Sequence, residues 1–389
     1  MSIRVSGGTI KSLRQRYKMN VAAAAHVTGV EEQTLSEWEQ DGVEMTLTQA
    51  KSFAKKFNTH WSVLLLETPV QKINTPVNNR AGYSDNARFS IQTYFAYEAA
   101  RRILDSSIEI EGQVVDPSVK GKCSDQDKID AKYCARVFRE LLNVNYDSLR
   151  KVRADPRDAY VFWREAISSL GVYVSEQSMP VEETKAFLLE DGPRAIIVIN
   201  RNDRYPHSKV FSLLHELGHL VKGDDSAACD IKMYAHRVSA EETWCNQFAS
   251  EMILPDEELL ADARIAGLKD AAEPADVIRQ LSSHYRAGFT VIMYKLLKHE
   301  RITDDQLKEM KAFFKSVILP KFSPKPDSDI KLGKIYHVRR DLAKASPALS
   351  REVIDRQLTG AVPYSDVPRL LGTKARYVED IKGLVGFGQ

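Results

Sequence analysis

The sequence predicts an α+β protein: a small sheet packed with helices, preceded by an all-α N-terminal domain and followed by a helical C-terminal region. Three observations lead there. Between residues 157 and 200, β-branched runs bounded by turn residues (VYVSEQ, AFLLED, RAIIVIN) read as paired strands. Amphipathic helical patterns flank them, RDAYVFWREAISSLG before and FSLLHELGHLVKG after. Residues 9–66 carry several short helical patterns and no strand signal. A chain of 389 residues has room for two or three such domains.

The elements follow in order. TIKSLRQRY is amphipathic and VAAAAHV is a short apolar helix. Gly29 is a turn, EEQTLSEWEQ a further helix, and LTQAKSFAKKF and WSVLLL complete a small bundle. A short helix, a glycine turn and a second short helix make a helix-turn-helix arrangement, assigned to residues 1–67. Residues 68–87, rich in Pro, Asn and Gly, read as a linker. Helical patterns at 87–105 and 126–143, separated by a polar loop around Gly112–Asp125, lead into the strands. A main domain is drawn over 88–256, ending after the helix AEETWCNQFASEMIL at Pro255. Residues 257–319 read as a helical extension, whose stretch Leu281–Leu297 has helix-turn-helix rhythm but apolar positions that suggest packing. Residues 320–389 read as a Pro- and Lys-rich linker and a small helical region, with the basic stretch Tyr336–Lys344 as a solvated face.

Composition narrows the classes. With 43% hydrophobic and 28% charged residues and a net charge of +2, the chain is ordinary globular material and no polyanion binder by bulk charge. No apolar run suits a signal-peptide core or a membrane span, so a cytoplasmic protein is expected. The four cysteines, Cys123, Cys134, Cys229 and Cys245, contain no CxxC pair. In a reducing compartment they are expected to be free thiols, in preference to a zinc knot or redox pair from Cys123 and Cys134.

The chemistry concentrates in His215-Glu216-Leu217-Gly218-His219. Residues four apart on a helix share a face, so His215 and His219 can point at one ion. Neutral imidazoles suit Zn2+, and a catalytic zinc site takes three protein ligands with a fourth position for water. Glu216 is placed to accept a proton from that water. Three ionisable groups in an otherwise apolar helix are costly without partners, which argues against a plain core helix. No downstream histidine follows at the long-motif spacing, so a glutamate on the next helix is the expected third ligand. Glu242, Asn246 and Ser250 share one face while Trp244, Phe248 and Met252 can face the core, which favours Glu242 over Glu241.

"WREAISSLGVYV", "AIIVIN", "KVFSLLHELGHLVKG" and "EETWCNQFASEMILP", in this order, resemble the ImmA/IrrE metallopeptidases, from about residue 88 to 300 and most specifically over 157–256. The resemblance implies a zincin-like fold, zinc on His215, His219 and Glu242, and Glu216 as general base. The family's E-x-x-x-N-x-x-A pattern falls on Glu242, Asn246 and Ala249. Lys209 stands where arginine is common and Ala186 where glycine is usual before Phe187, departures that bear on the substrate cleft. The family is often joined to an XRE-type helix-turn-helix, which residues 9–66 resemble, and several members cleave a repressor or antitoxin. Ile196, Ile197 and Val198 are candidates to receive an extended peptide by edge pairing. Tyr234 and His236 are candidates to stabilise the oxyanion.

The expected function is therefore a zinc-dependent endopeptidase cutting a protein regulator in a stress, phage or toxin–antitoxin response. The alternative is a non-catalytic antitoxin or transcriptional regulator that binds a partner protein or DNA. Gln33, Thr34 and Ser36 are placed for base contacts, but Glu31, Glu32, Glu37, Glu39 and Asp41 make the same helix acidic, and no Lys or Arg lies between Met19 and Ala50. Phosphate neutralisation carries most affinity for duplex; Lys11, Arg14, Arg16, Lys18, Lys51, Lys55 and Lys56 on the flanking helices could supply backbone contacts, and a protein partner with a basic face competes equally.

Overall fold

The computed structural model describes residues 2–66, 89–123, 130–152, 155–223, 240–268, 274–322 and 333–386. The linker expected at 68–87 and most of that at 320–331 lie outside them. The chain divides into two compact units, Met1–Glu98 and Ala99–Gln389.

In the first unit, β1 (Ser2–Val5) and α1 (Gly7–Arg16) are followed by α2 (Val21–Thr28), α3 (Glu32–Asp41), β2 (Val43–Thr46) and α4 (Leu47–Lys56), then a 3-10 turn at Trp61–Leu65. Asn20 caps α2 by accepting the Ala23 N–H, and Gly29 ends it in the left-handed region. Thr46 and Gln49 form a capping box at the start of α4. Ile10, Leu13, Tyr17, Leu35, Phe53, Phe57 and Leu64 fill the core. The unit is not all-α as expected: β1 and β2 pair antiparallel, Ser2 opposite Thr46 and Val5 opposite Val43. Each strand has four residues, too few for an alternating pattern to register in sequence.

The helix α5 (Ile91–Glu109) spans the division between the units. Then come α6 (Ala131–Leu141), α7 (Tyr146–Lys151), α8 (Pro156–Ser168), β3 (Val172–Gln177), β4 (Ala186–Asp191), β5 (Arg194–Asn200), α9 (Pro206–Lys222) and α10 (Ala240–Ile253). The run continues through α11 (Asp256–Leu260), α12 (Pro274–Tyr285), α13 (Phe289–Lys298) and α14 (Asp304–Phe313) to α15 (Lys334–Ala345), α16 (Pro347–Leu358), α17 (Val367–Leu370) and α18 (Val378–Leu384). The sheet order is β3-β5-β4, with β3 parallel and β4 antiparallel to β5. Ile196, Ile197 and Val198 thus lie on the central strand, wholly buried, and the edge pairing expected of them is corrected: both their edges are already hydrogen-bonded to neighbours.

Alternation along β3 fixes the layers. Val172 and Val174 join the main core with α8 and α9. Tyr173 and Ser175 point the other way, the first donating to Glu352 Oε2 of α16 at 2.7 Å and the second to the Lys344 carbonyl of α15 at 2.7 Å. The C-terminal helices, read from sequence as a separate small region, are therefore part of the second unit. Lys295 of α13, nearly fully buried, pairs with Glu251 and Asp256, and Lys132 of α6 reaches Asp256 at 2.7 Å, so α10 and α11 are tied to α6 and α13. The free-thiol expectation fails for two cysteines: Cys123 and Cys134 are disulfide-bonded, their Cα atoms 6.7 Å apart. Cys245 is a buried free thiol. Among the described residues no helix is long and apolar enough to cross a membrane.

Candidate metal centre

Helix α9 forms from strong local signals. Tyr205 is extended at the N-cap and Pro206 occupies the first turn, where its missing N–H costs nothing. Val210, Leu213, Leu214, Leu217, Leu220 and Val221 repeat at helical spacing and are all buried. Gly223, at φ 66°, ends the helix, its N–H donating to the His219 carbonyl. His215, Glu216 and His219 are 5%, 4% and 8% exposed, so the three polar residues do lie inside the protein.

Helix α10 brings the fourth group. It packs against α9 closely enough that a Cβ at Gly218 would stand 3.2 Å from Phe248 Cδ1 and 3.4 Å from Cys245 Cα. Phe248 and Trp244 stack face to face. That approach leaves Glu242 beside the histidines, while Glu241 is exposed.

Among the described residues, His215, His219 and Glu242 offer donor atoms that all fall within 4.8 Å of one another. The two Nε2 atoms are 3.2 Å apart; Glu242 Oε2 is 3.2 Å from His215 Nε2, and Oε1 is 3.5 Å from His219 Nε2. Donors about 2.0–2.1 Å from a tetrahedral ion lie about 3.3 Å from each other, so the spacing and the nitrogen–oxygen donor set fit zinc. Electrostatics agree. Burial pulls the His215 imidazole down, but the hydrogen bond to Glu242, the charges of Glu216 and Glu242, and the Asn246 side chain outweigh it, and the net shift is upward. The Glu242 carboxyl is held below its usual range, first by the hydrogen bond from His215 and then, against burial, by the charges of both imidazoles. The cluster is built to concentrate negative charge around two imidazoles, which a cation satisfies.

Sequence reading missed Phe211, whose ring stacks on His215 at 6.3 Å and an interplanar angle of 27°. The four-residue offset between them on one helix was the available signal. It also missed the partners of Lys209, which bonds Glu176 of β3 at 2.8 Å and lies 5.5 Å over the Tyr160 ring. Tyr234 and His236 lie outside the described residues. Gln33, Thr34 and Ser36 are on α3 in the other unit: Gln33 donates to Glu37 at 3.2 Å, and Ser36 to the Glu32 carbonyl at 3.0 Å.

One buried histidine of α9 belongs to stability. His207 is pushed down to about 4 by burial, with the charge of Asp155 opposing. Its Nδ1 has no hydrogen-bond partner among the described residues. The unfolded chain takes up this proton below about pH 6.5, the folded chain only below about 4. The resulting stability is complete above the higher value and is lost as pH falls through the window. Between pH 7.5 and 5 the loss is about 2 kcal/mol. Urea unfolding at those two pH values should show it in the wild type, and a His207→Leu chain should lose that much less on acidification.

Two histidines of α9 and a carboxylate of α10, converging beside a three-stranded sheet, form a group that could hold a metal ion. Residues 167–297 match the family model described as the IrrE N-terminal-like domain, Peptidase_M78. The match supports kinship of this segment with the ImmA/IrrE family and suggests a protease-like function, typically metal-dependent in that family. Comparison with curated proteins and with solved structures returned no match.

Proposed function

We propose that this protein is a zinc-dependent endopeptidase that cleaves a protein regulator, a repressor or antitoxin-like partner, in a stress, phage or toxin–antitoxin response. The convergence of His215, His219 and Glu242 carries the reading. These three residues would hold the zinc, which when bound supplies a Lewis acid that polarises the scissile carbonyl and acidifies a water. Glu216 accepts the proton from the attacking water and hands it to the leaving amine. Its burial excludes bulk water from that transfer. Phe211 and Asn246 orient His215. An extended substrate would pair with β4, the sheet edge against which α9 packs, in place of the central β5.

The first unit serves as the docking module in this reading, and a protein partner with a basic face suits it better than DNA. Two of the basic residues available for phosphate contact are already engaged: Arg14 holds Glu39 through two bonds of 2.6 and 2.7 Å, and Arg16 bonds Glu98. The acids Glu31, Glu32, Glu37 and Asp41 remain on or beside α3. The same observation favours the second reading, a non-catalytic antitoxin or regulator acting by binding.

Terminal-labelling mass spectrometry separates the two. Zinc-loaded full-length protein, added to a lysate of its host, should generate new N-termini in one or a few regulatory proteins, and a chelator should suppress them. A partner that co-purifies but is never cut, with or without chelator, favours the binding reading.

A further inference from the structure

The turn that precedes the disulfide caps the metal helix. The last carbonyls of an α-helix lack intrahelical donors. On α9 those of Leu220 and Val221, directly after His219, accept the N–H groups of Gly121 at 3.3 Å and Cys123 at 3.1 Å. Cys123 is in turn bonded to Cys134 of α6. That helix is the fixed end: Cys134 is fully buried, Phe138 one turn on meets Phe248 of α10 edge-to-face at 6.0 Å, and Lys132 and Arg136 pair with Asp256 and Glu257. One covalent bond thus joins the cap of the helix carrying His215 and His219 to the brace of the helix carrying Glu242.

We propose that Cys123–Cys134 is a thiol-sensitive brace of the metal centre: intact, it holds the cap on α9, and reduced by a dithiol it releases that cap and loosens the metal ligands. The link to the metal rests on the zinc reading above; the brace itself does not. The chemistry is thiol–disulfide exchange. A thiolate of the dithiol attacks the sulfur of Cys123, the less buried of the two residues, forming a mixed disulfide and expelling the Cys134 thiolate, which takes up a proton. The second thiol of the reductant then closes its own disulfide and frees Cys123. Two electrons pass to the protein and the dithiol is oxidised. Without the bond, the turn keeps only its backbone contacts to α9 and neighbouring segments, and the final turn of α9 frays, one residue from His219.

Full-length protein, zinc-loaded and either oxidised or reduced with dithiothreitol, is the material for the test. Hydrogen exchange should accelerate about tenfold on reduction at the amides of Gly121, Cys123 and Gly223, a modest share of what a native cross-link is worth, while the amides of α13 stay unchanged. Zinc transfer to a chromophoric chelator should speed up by a similar factor. A Cys123→Ser, Cys134→Ser chain should behave as the reduced protein and ignore the reductant; if it does not fold, the reduced wild type decides. Alkylation of Cys123 and Cys134 in unreduced protein overturns the proposal. So does exchange at the cap that is unchanged by reduction, or that rises no more than exchange in α13. A chain that binds no zinc but shows the reduction-dependent exchange sinks the metal reading and leaves the brace standing.

Discussion

Replacing Glu216 by Gln should lower the proposed peptidase rate by about a hundred- to ten-thousand-fold, the usual range for loss of a positioned general base, and should leave zinc content and unfolding midpoint unchanged. The substitution keeps the volume of a side chain that is only 4% exposed, so the core around α9 stays filled. An amide cannot accept the proton that a carboxylate takes. The residue is not one of the three converging donors, so the metal keeps its protein ligands. Steady-state kinetics on a peptide spanning the mapped cleavage site, with metal analysis of the same samples, check both halves. A Glu216→Gln chain that cuts at the wild-type rate contradicts the assignment.

Glu242→Ala should weaken zinc binding by more than about a hundredfold, because loss of even an outer-shell partner of a zinc ligand costs about 10–100-fold. Glu241→Ala should leave it unaltered. The two residues are adjacent in sequence but about 100° apart around α10. Only Glu242 reaches the histidines, at 3.2 and 3.5 Å. In the metal-free protein, Glu242→Ala also removes the strongest upward influence on His215, so that imidazole pKa falls. Competition against a chelator of known zinc affinity measures the first effect, and NMR titration of the His215 ring the second. Equal zinc loss in the two variants would mean the carboxylate ligand comes from elsewhere.

The parts of this site written in one helix were legible. His215 and His219 share a face by four-residue spacing, and the apolar rhythm from Val210 to Val221 announces burial of both. Glu242 could be chosen over Glu241 because Trp244, Phe248 and Met252 identify the core face of the next helix. Features that depend on which elements meet were not legible. β5 reads as an apolar run whether it is central or at an edge, and its pairing with both β3 and β4 is a tertiary fact. Arg14 and Glu39, 25 residues apart, meet only once α1 packs on α3, so the loss of Arg14 as a phosphate contact could not be foreseen. The Cys123–Cys134 bond depends on the turn ending at Cys123 bringing its Cα within 6.7 Å of that of Cys134 on α6, a tertiary fact that compartment and cysteine spacing do not carry. The β1–β2 ribbon escaped because four-residue strands carry too little periodicity.

The central claim is that two imidazoles of α9 and one carboxylate of α10 grip a single zinc. X-ray absorption at the zinc edge of purified full-length protein tests it most directly. The account predicts about one zinc per chain, bound only by nitrogen and oxygen at about 2.0–2.2 Å, with two imidazole signatures that fall to one in His219→Ala. A sulfur neighbour at about 2.3 Å, or a carefully prepared chain that retains no zinc, would contradict it.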